Sequence, residues 1–99
     1  MRMVLKAQIP TEAGNDVLRN GSMPKIMETA VAALKPEAAY FTLDGGDRTC
    51  FFYFDMQQSS QMPPVLESFF MELHAKVSIQ PVMNMDDLRI GLGDLMSGT

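Results

Sequence analysis

The chain has 99 residues, 46% of them apolar and 20% charged, with a formal net charge of −4 at pH 7. This is the balance of one small globular domain, and its eight Lys and Arg stand singly, which argues against the cationic patch that a nucleic acid or an anionic membrane surface requires. No apolar run approaches the ~18 residues of a membrane span, and the single Cys50 excludes an internal disulfide.

Arg2 to Ile9 alternates, with Met3, Leu5, Ala7 and Ile9 on one side, and predicts a strand that Pro10 stops. Its apolar–basic start is too short for the core of a signal peptide; with one free thiol, this predicts a cytoplasmic protein. Thr11 to Asn20 reads as a loop or as a short helical turn closed by Gly21. Met23, Ile26, Met27, Ala30, Val31 and Leu34 form one helical stripe, with Ser22 as N-cap, Pro24 in the first turn and Pro36 ending the helix. Ala38 to Leu43 and Arg48 to Asp55 predict a hairpin closed by Asp44-Gly45-Gly46-Asp47.

After a polar linker, Met62, Val65, Leu66, Phe69, Phe70 and Leu73 repeat the helical stripe, with Ser59 or Ser60 as cap and Pro63-Pro64 in the first turn. Ala75 to Met83 alternates again, and Pro81 marks an edge strand or its end. Asn84 and Asp87 open a last short helix, weakened by Gly91 and Gly93. Residues 1–96 read as one domain and 97–99 as a frayed tail.

The order strand, helix, strand, strand, helix, strand predicts an α+β, ferredoxin-like βαββαβ domain: a four-stranded antiparallel sheet, two covering helices and a short C-terminal helix. The helices should cover the apolar face that carries Leu5, Ala7, Phe41, Phe52, Phe54, Val77 and Ile79. The other face carries Val4, Lys6, Gln8, Tyr40, Thr42, Phe51, Tyr53, Ser78, Gln80 and Val82. It is too apolar to leave in water and too polar for a dry core. It suits a partly wet interface, and the expectation is a homodimer packed sheet to sheet as a dimeric α+β barrel.

The phrases Ala13-Gly14-Asn15, Lys35-Pro36-Glu37-Ala38-Ala39-Tyr40-Phe41, Arg48-Thr49 and Pro81-Val82-Met83, followed by Asp87-Leu88, resemble a family of small bacterial proteins without an assigned activity. The resemblance runs over most of the chain and implies the dimeric α+β-barrel fold. The wider superfamily includes small monooxygenases, lactone isomerases and haem-handling enzymes, a likeness of fold that carries over no catalytic residue.

His74, the only histidine, stands where the second helix should end, a place that favours a positive charge. With no second His, Cys pair or carboxylate cluster beside it, capping is the better reading than a base or a haem ligand; no metal or cofactor is expected. Ten methionines could hold Cu(I), but those on the helix stripes are core fillers. Cys50, inside an aromatic run, reads as a buried small hydrophobe. Arg48 to Phe54 resembles the aromatic strand of an RNA-recognition motif, yet Thr49 stands where that motif has Gly, and the chain is acidic. Gly45-Gly46 sits in a hairpin with no following helix, so it is no phosphate loop.

The remaining constellation is Lys6, Gln8, Tyr40, Tyr53 and Gln80 on the open face, with Arg48 and Asn15 at its rim. Aromatic walls with a few polar groups make a small-molecule pocket, and Lys6 or Arg48 could pair with a carboxylate; the bland alternative is an ordinary interface. Two functions follow: a homodimeric module that binds a small apolar or anionic molecule or acts in interactions, or a cofactor-free monooxygenase- or isomerase-type enzyme in which Tyr40, Tyr53 or His74 handles protons.

Overall fold

Period-two alternation places Met3, Leu5, Ala7 and Ile9 on one side of the strand Arg2–Ile9 (β1), and all four are buried. The same side of the strand Asp47–Asp55 (β3) contributes Cys50, Phe52 and Phe54, each paired in antiparallel register with Ala7, Leu5 and Met3. The strand Ala38–Asp44 (β2) flanks β3, and Lys76–Pro81 (β4) flanks β1, giving the order β2-β3-β1-β4. This is a four-stranded antiparallel sheet, consistent with a ferredoxin-like fold. The computed structural model describes residues 1–98. Thr99, part of the expected frayed tail, lies outside the described residues; Ser97 and Gly98 form a turn.

β2 and β3 meet at Gly45 and Gly46, whose φ angles of +59° and +85° are the two left-handed positions of a tight hairpin. Pro81 stands at the end of an edge strand, where its missing N–H costs the ladder nothing.

The sheet carries helices on one face. Thr11–Arg19 (α1) is a true helix rather than a loop, so the described residues form four helices, not three. Its apolar contribution is small, Gly14 and Val17 being its buried residues, and so its stripe is hard to see in sequence. Glu12 near its start and Arg19 near its end complement the helix dipole. Met23–Leu34 (α2) buries Ile26, Ala30 and Leu34, and Met62–Leu73 (α3) buries Val65, Phe69 and Leu73. Both stripes therefore face the sheet, with Val31 and Phe70 at their exposed margins. Phe52 packs on Phe69 with ring centroids 6.1 Å apart.

The caps differ from the expected ones. Ser22 makes no side-chain cap to α2, because its hydroxyl donates to Asn20 Oδ1 at 2.6 Å. Ser59 and Ser60 lie in a 3-10 turn before α3, where Gln61 Oε1 accepts from the backbone N–H of Gln57 and Gln58. Lys35 and His74 end their helices with φ of +47° and +51°. For Lys35 this departure answers Pro36, which disfavours the right-handed helical conformation at the preceding residue.

Two departures from the expected core matter most. Phe41 points to the helix side of the sheet, in register with Cys50, yet remains 63% exposed, and Leu43 beside it is 69% exposed. β2 is an edge strand whose outer flank the helices do not reach. Val77 and Ile79 on the opposite edge are only half-buried. The second departure is the last helix, Met85–Met96 (α4). Asn84 caps it as expected, with Asp87 N–H donating to Asn84 Oδ1 at 2.8 Å and Asn84 N–H to Asp87 Oδ2 at 3.1 Å. Beyond that root α4 leaves the domain, and all its residues are exposed. The described chain is accordingly 56 Å long with a radius of gyration of 16.1 Å, against about 13 Å for a compact domain of this length.

Candidate functional site

The open face of the sheet follows from the strand register. Lys6 lies opposite Phe51, and Phe51 opposite Tyr40, so these three form one row across β1, β3 and β2. In the next row Val4 separates Tyr53 from Gln80. Gln8, Thr49 and Thr42 make the row toward the hairpin. Lys6, Gln8, Tyr40, Tyr53 and Gln80 therefore share one face, as the alternation implies.

Arg48 does not join them. It lies opposite Ile9 and Leu43, on the helix side. Its Nη2 donates to Asn15 Oδ1 at 3.0 Å, and its Nη1 lies 3.5 Å from the Thr11 carbonyl oxygen. Arg48 and Asn15 do meet, but they tie β3 to α1 rather than line the open face. The physical reason is alternation, which puts Arg48 on the same side of β3 as Cys50 and Phe52; the length of its side chain then carries the charged end to the helix.

The aromatic groups of the open face touch one another. Tyr40 and Tyr53 meet edge to face with centroids 6.3 Å apart, a favoured geometry for aromatic pairs. Lys6 Nζ stands 5.9 Å from the centre of the Phe51 ring and forms an ion pair with Asp44. Gln8 Nε2 donates to the Asp44 carbonyl oxygen at 3.1 Å and to Asp47 Oδ2 at 3.2 Å. Thr49 is buried on this face, its hydroxyl donating to the Asp47 carbonyl oxygen at 3.0 Å. The hairpin end thus satisfies Lys6, Gln8 and Thr49. An anionic ligand would have to displace Asp44 from Lys6, whereas a flat apolar group could lie on Tyr40, Phe51 and Tyr53 without disturbing any of these bonds. Phe51 at the centre of the face is the residue that a list of polar candidates omits; strict alternation with Tyr53 is the signal that finds it.

A second recess of about 740 Å³ lies at the opposite end of the sheet, lined by Arg2, Lys35, Glu37, Asp55, Val82 and Asp87 among others. Its charges other than Lys35 are paired. Arg2 Nε donates to Glu37 Oε1 at 2.5 Å and its Nη1 lies 3.7 Å from Asp87 Oδ2. The N-terminal ammonium donates to Asp55 Oδ1 at 2.7 Å, and this hydrogen bond holds the Asp55 carboxyl below its usual range. The bond to Glu37 raises Arg2 further above an already high value. The Arg2–Asp87 pair ties the root of α4 to β1, and Lys35 lines the recess outside these pairs.

His74 is exposed at the end of α3, on the rim of a shallow depression with Glu12, Asp16 and Glu72. Its backbone, in the left-handed conformation, closes the helix through an N–H bond to the Phe70 carbonyl oxygen at 3.0 Å. Cys50 is buried, and burial pushes its thiol up to about 11. Met3 is buried and Met23 and Met27 pack against the core, as fillers do. Among the described residues no group of three or more His, Cys, Asp or Glu side chains is placed to hold a metal ion. Among the described residues no helix is long and apolar enough to cross a membrane.

No protein-family model matches the chain, and no curated protein matches it.

Proposed function

We propose that the protein is a homodimer, paired through the open face of its sheet, that serves as a small-molecule-binding or interaction module. The observation that carries this reading is the row Lys6–Phe51–Tyr40 with Tyr53 beside it, turned away from the helices. Tyr40 is 64% exposed in the single chain, and an aromatic patch of this kind is a surface built to be covered. Lys6 and Gln8 are already bonded to the hairpin end, so covering the face strands neither of them, which lowers the cost of burying the face's polar groups. The resemblance to small bacterial dimeric α+β-barrel proteins carries the same expectation, and the free buried thiol suits a reducing compartment such as the cytoplasm. The ligand class that fits is a small apolar or aromatic molecule.

The test is native mass spectrometry of freshly purified protein. A species at twice the 11.0 kDa chain mass supports the dimer. A discrete added mass on it supports a ligand and names it; a clean dimer favours the interaction module. A monomer at tens of micromolar overturns the reading.

One observation favours the second reading, a cofactor-free monooxygenase- or isomerase-type enzyme. The two tyrosines stand edge to face on a single wall, where either hydroxyl could pass a proton to a stacked substrate. With a molecule found by mass spectrometry in hand, Tyr40→Phe and Tyr53→Phe separate the two. Retained binding with lost turnover makes the protein an enzyme; lost binding alone makes it a module.

A further inference from the structure

We propose that α4 is an exchange arm: in the homodimer its apolar stripe lies on the helix-side face of the partner's β2 and covers the Phe41 and Leu43 that the partner's own helices leave bare. The inference rests on the homodimer reading above and adds to it the element that completes the interface.

Met85, Leu88, Leu92 and Leu95 recur at i, i+3, i+7 and i+10, one narrow stripe along α4. Every one of them is exposed. A helix of 12 residues that contains Gly91 and Gly93 is marginal by its own propensity and depends on packing to persist. Among the described residues nothing buries its stripe.

The same chain carries an uncovered apolar surface of matching size. Phe41 and Leu43 form one wall of a groove of about 420 Å³ whose other apolar walls are Ile9, Met23, Met27 and Cys50. From Ala39 to Leu43 the helix-side residues of β2 extend about 13 Å at ~3.3 Å per residue. The stripe from Leu88 to Leu95 extends about 10 Å at 1.5 Å per residue.

Topology brings the two together. β2 and β4 are the opposite edges of the sheet. When two such sheets face each other across a two-fold axis that runs along the strands, and curl closed, the β4 edge of one meets the β2 edge of the other. α4 begins four residues after β4 ends, and the Asn84–Asp87 cap and the Arg2–Asp87 pair hold its root there. It therefore starts at the junction and points off its own domain. Area argues the same way. Four strands ~4.8 Å apart and on average ~25 Å long offer a flat footprint of roughly 480 Å², below the ~800 Å² of accessible surface per partner that a stable complex buries. Arm and groove supply the remainder twice, once for each protomer.

The test is an isotope-filtered NOE experiment on a dimer assembled from labelled and unlabelled chains, together with dissociation constants by analytical ultracentrifugation. The expected result is intermolecular NOEs between the methyl groups of Leu88, Leu92 and Leu95 and the Phe41 ring. Leu92→Glu lies at an exposed position away from the core, while the Phe41 ring also meets the buried Phe52 edge to face at 5.9 Å, so Phe41→Glu is read only with a urea denaturation that shows it folded; each should raise the dimer dissociation constant at least tenfold, and together hardly more than either alone. A dimer whose arm methyl groups give no intermolecular NOE to Phe41, and whose affinity Leu92→Glu leaves unchanged, overturns the arm and leaves the sheet-face dimer standing. A wild-type monomer overturns both.

Discussion

A Cβ placed on Gly14 would overlap the Nη1 of Arg48. The glycine in α1 and the arginine in β3 are 34 positions apart, and the guanidinium lies over the helix because no side chain is there to stop it. It then bonds to Asn15, the next residue. Gly14→Ala should pit two effects of similar size against each other. Alanine is better than glycine in a helix by about 1 kcal/mol, while losing a hydrogen bond to a charged group costs about 1.5–3 kcal/mol, less here because the pair is only partly buried. The expected outcome is a neutral to slightly destabilised protein. In an Arg48→Ala background the same substitution should stabilise by about 1 kcal/mol. Urea denaturation of the four variants checks this; an equal effect of Gly14→Ala in both backgrounds would show that the two residues are not coupled.

His74 adopts φ +51° at the end of α3, a conformation that costs a side-chain-bearing residue roughly 1–2 kcal/mol. His74→Gly relieves it, offset by the greater freedom of glycine in the unfolded chain. The variant should gain about 0.5 kcal/mol and a few degrees in Tm. A loss of stability would mean that the imidazole makes a contact worth more than the strain.

Phe69 and Phe70 are neighbours on opposite sides of the boundary that α3 draws between core and solvent. Phe69 is fully buried against Phe52, while Phe70 is 42% exposed. Phe69→Ala should cost about 3–5 kcal/mol and Phe70→Ser less than about 1 kcal/mol. Comparable losses would place the helix in a different rotation about its axis.

The Cys50 thiol is raised by burial to about 11, so very little thiolate exists at pH 8 and what exists is shielded. Labelling by a thiol reagent should be orders of magnitude slower in the native protein than in 6 M guanidinium. Rapid native labelling would mean that the edge of the groove beside Phe41 opens.

Asp55 is held below its usual range by the hydrogen bond from the N-terminal ammonium and then by that group's charge. A carboxyl lowered in the folded state contributes stability that is present above its unfolded value near 3.9 and is lost as pH falls through the lower folded value. Asp55→Asn should therefore flatten the fall of Tm between pH 5 and pH 2. The effect should be small, because the pair is exposed. An unchanged acid profile would remove the pair from the stability of the fold.

By itself the sequence determined the local grammar of this protein. Period-two alternation chose the buried side of β1 and β3, the two helical stripes aimed α2 and α3 at the sheet, and a Gly-Gly pair closed the hairpin. These are short-range consequences of backbone geometry and side-chain polarity, and they brought Lys6, Gln8, Tyr40, Tyr53 and Gln80 to one face. Read from sequence, Arg48 goes to the rim of the open face, against its parity with Cys50 and Phe52, because an arginine on an apolar face looks misplaced until Gly14 and Asn15 are seen to receive it. Only the tertiary structure decided that, and likewise how far the cover extends. Alternation says that Phe41 and Leu43 face the helices; it cannot say that the helices stop short of that edge, because coverage depends on where α2 and α3 settle over β1, β3 and β4. For the same reason the stripe on α4 could be read as a helix but not as one that leaves its domain. An apolar stripe specifies that something must cover it, and the identity of the cover is set by the surfaces that the rest of the fold leaves open.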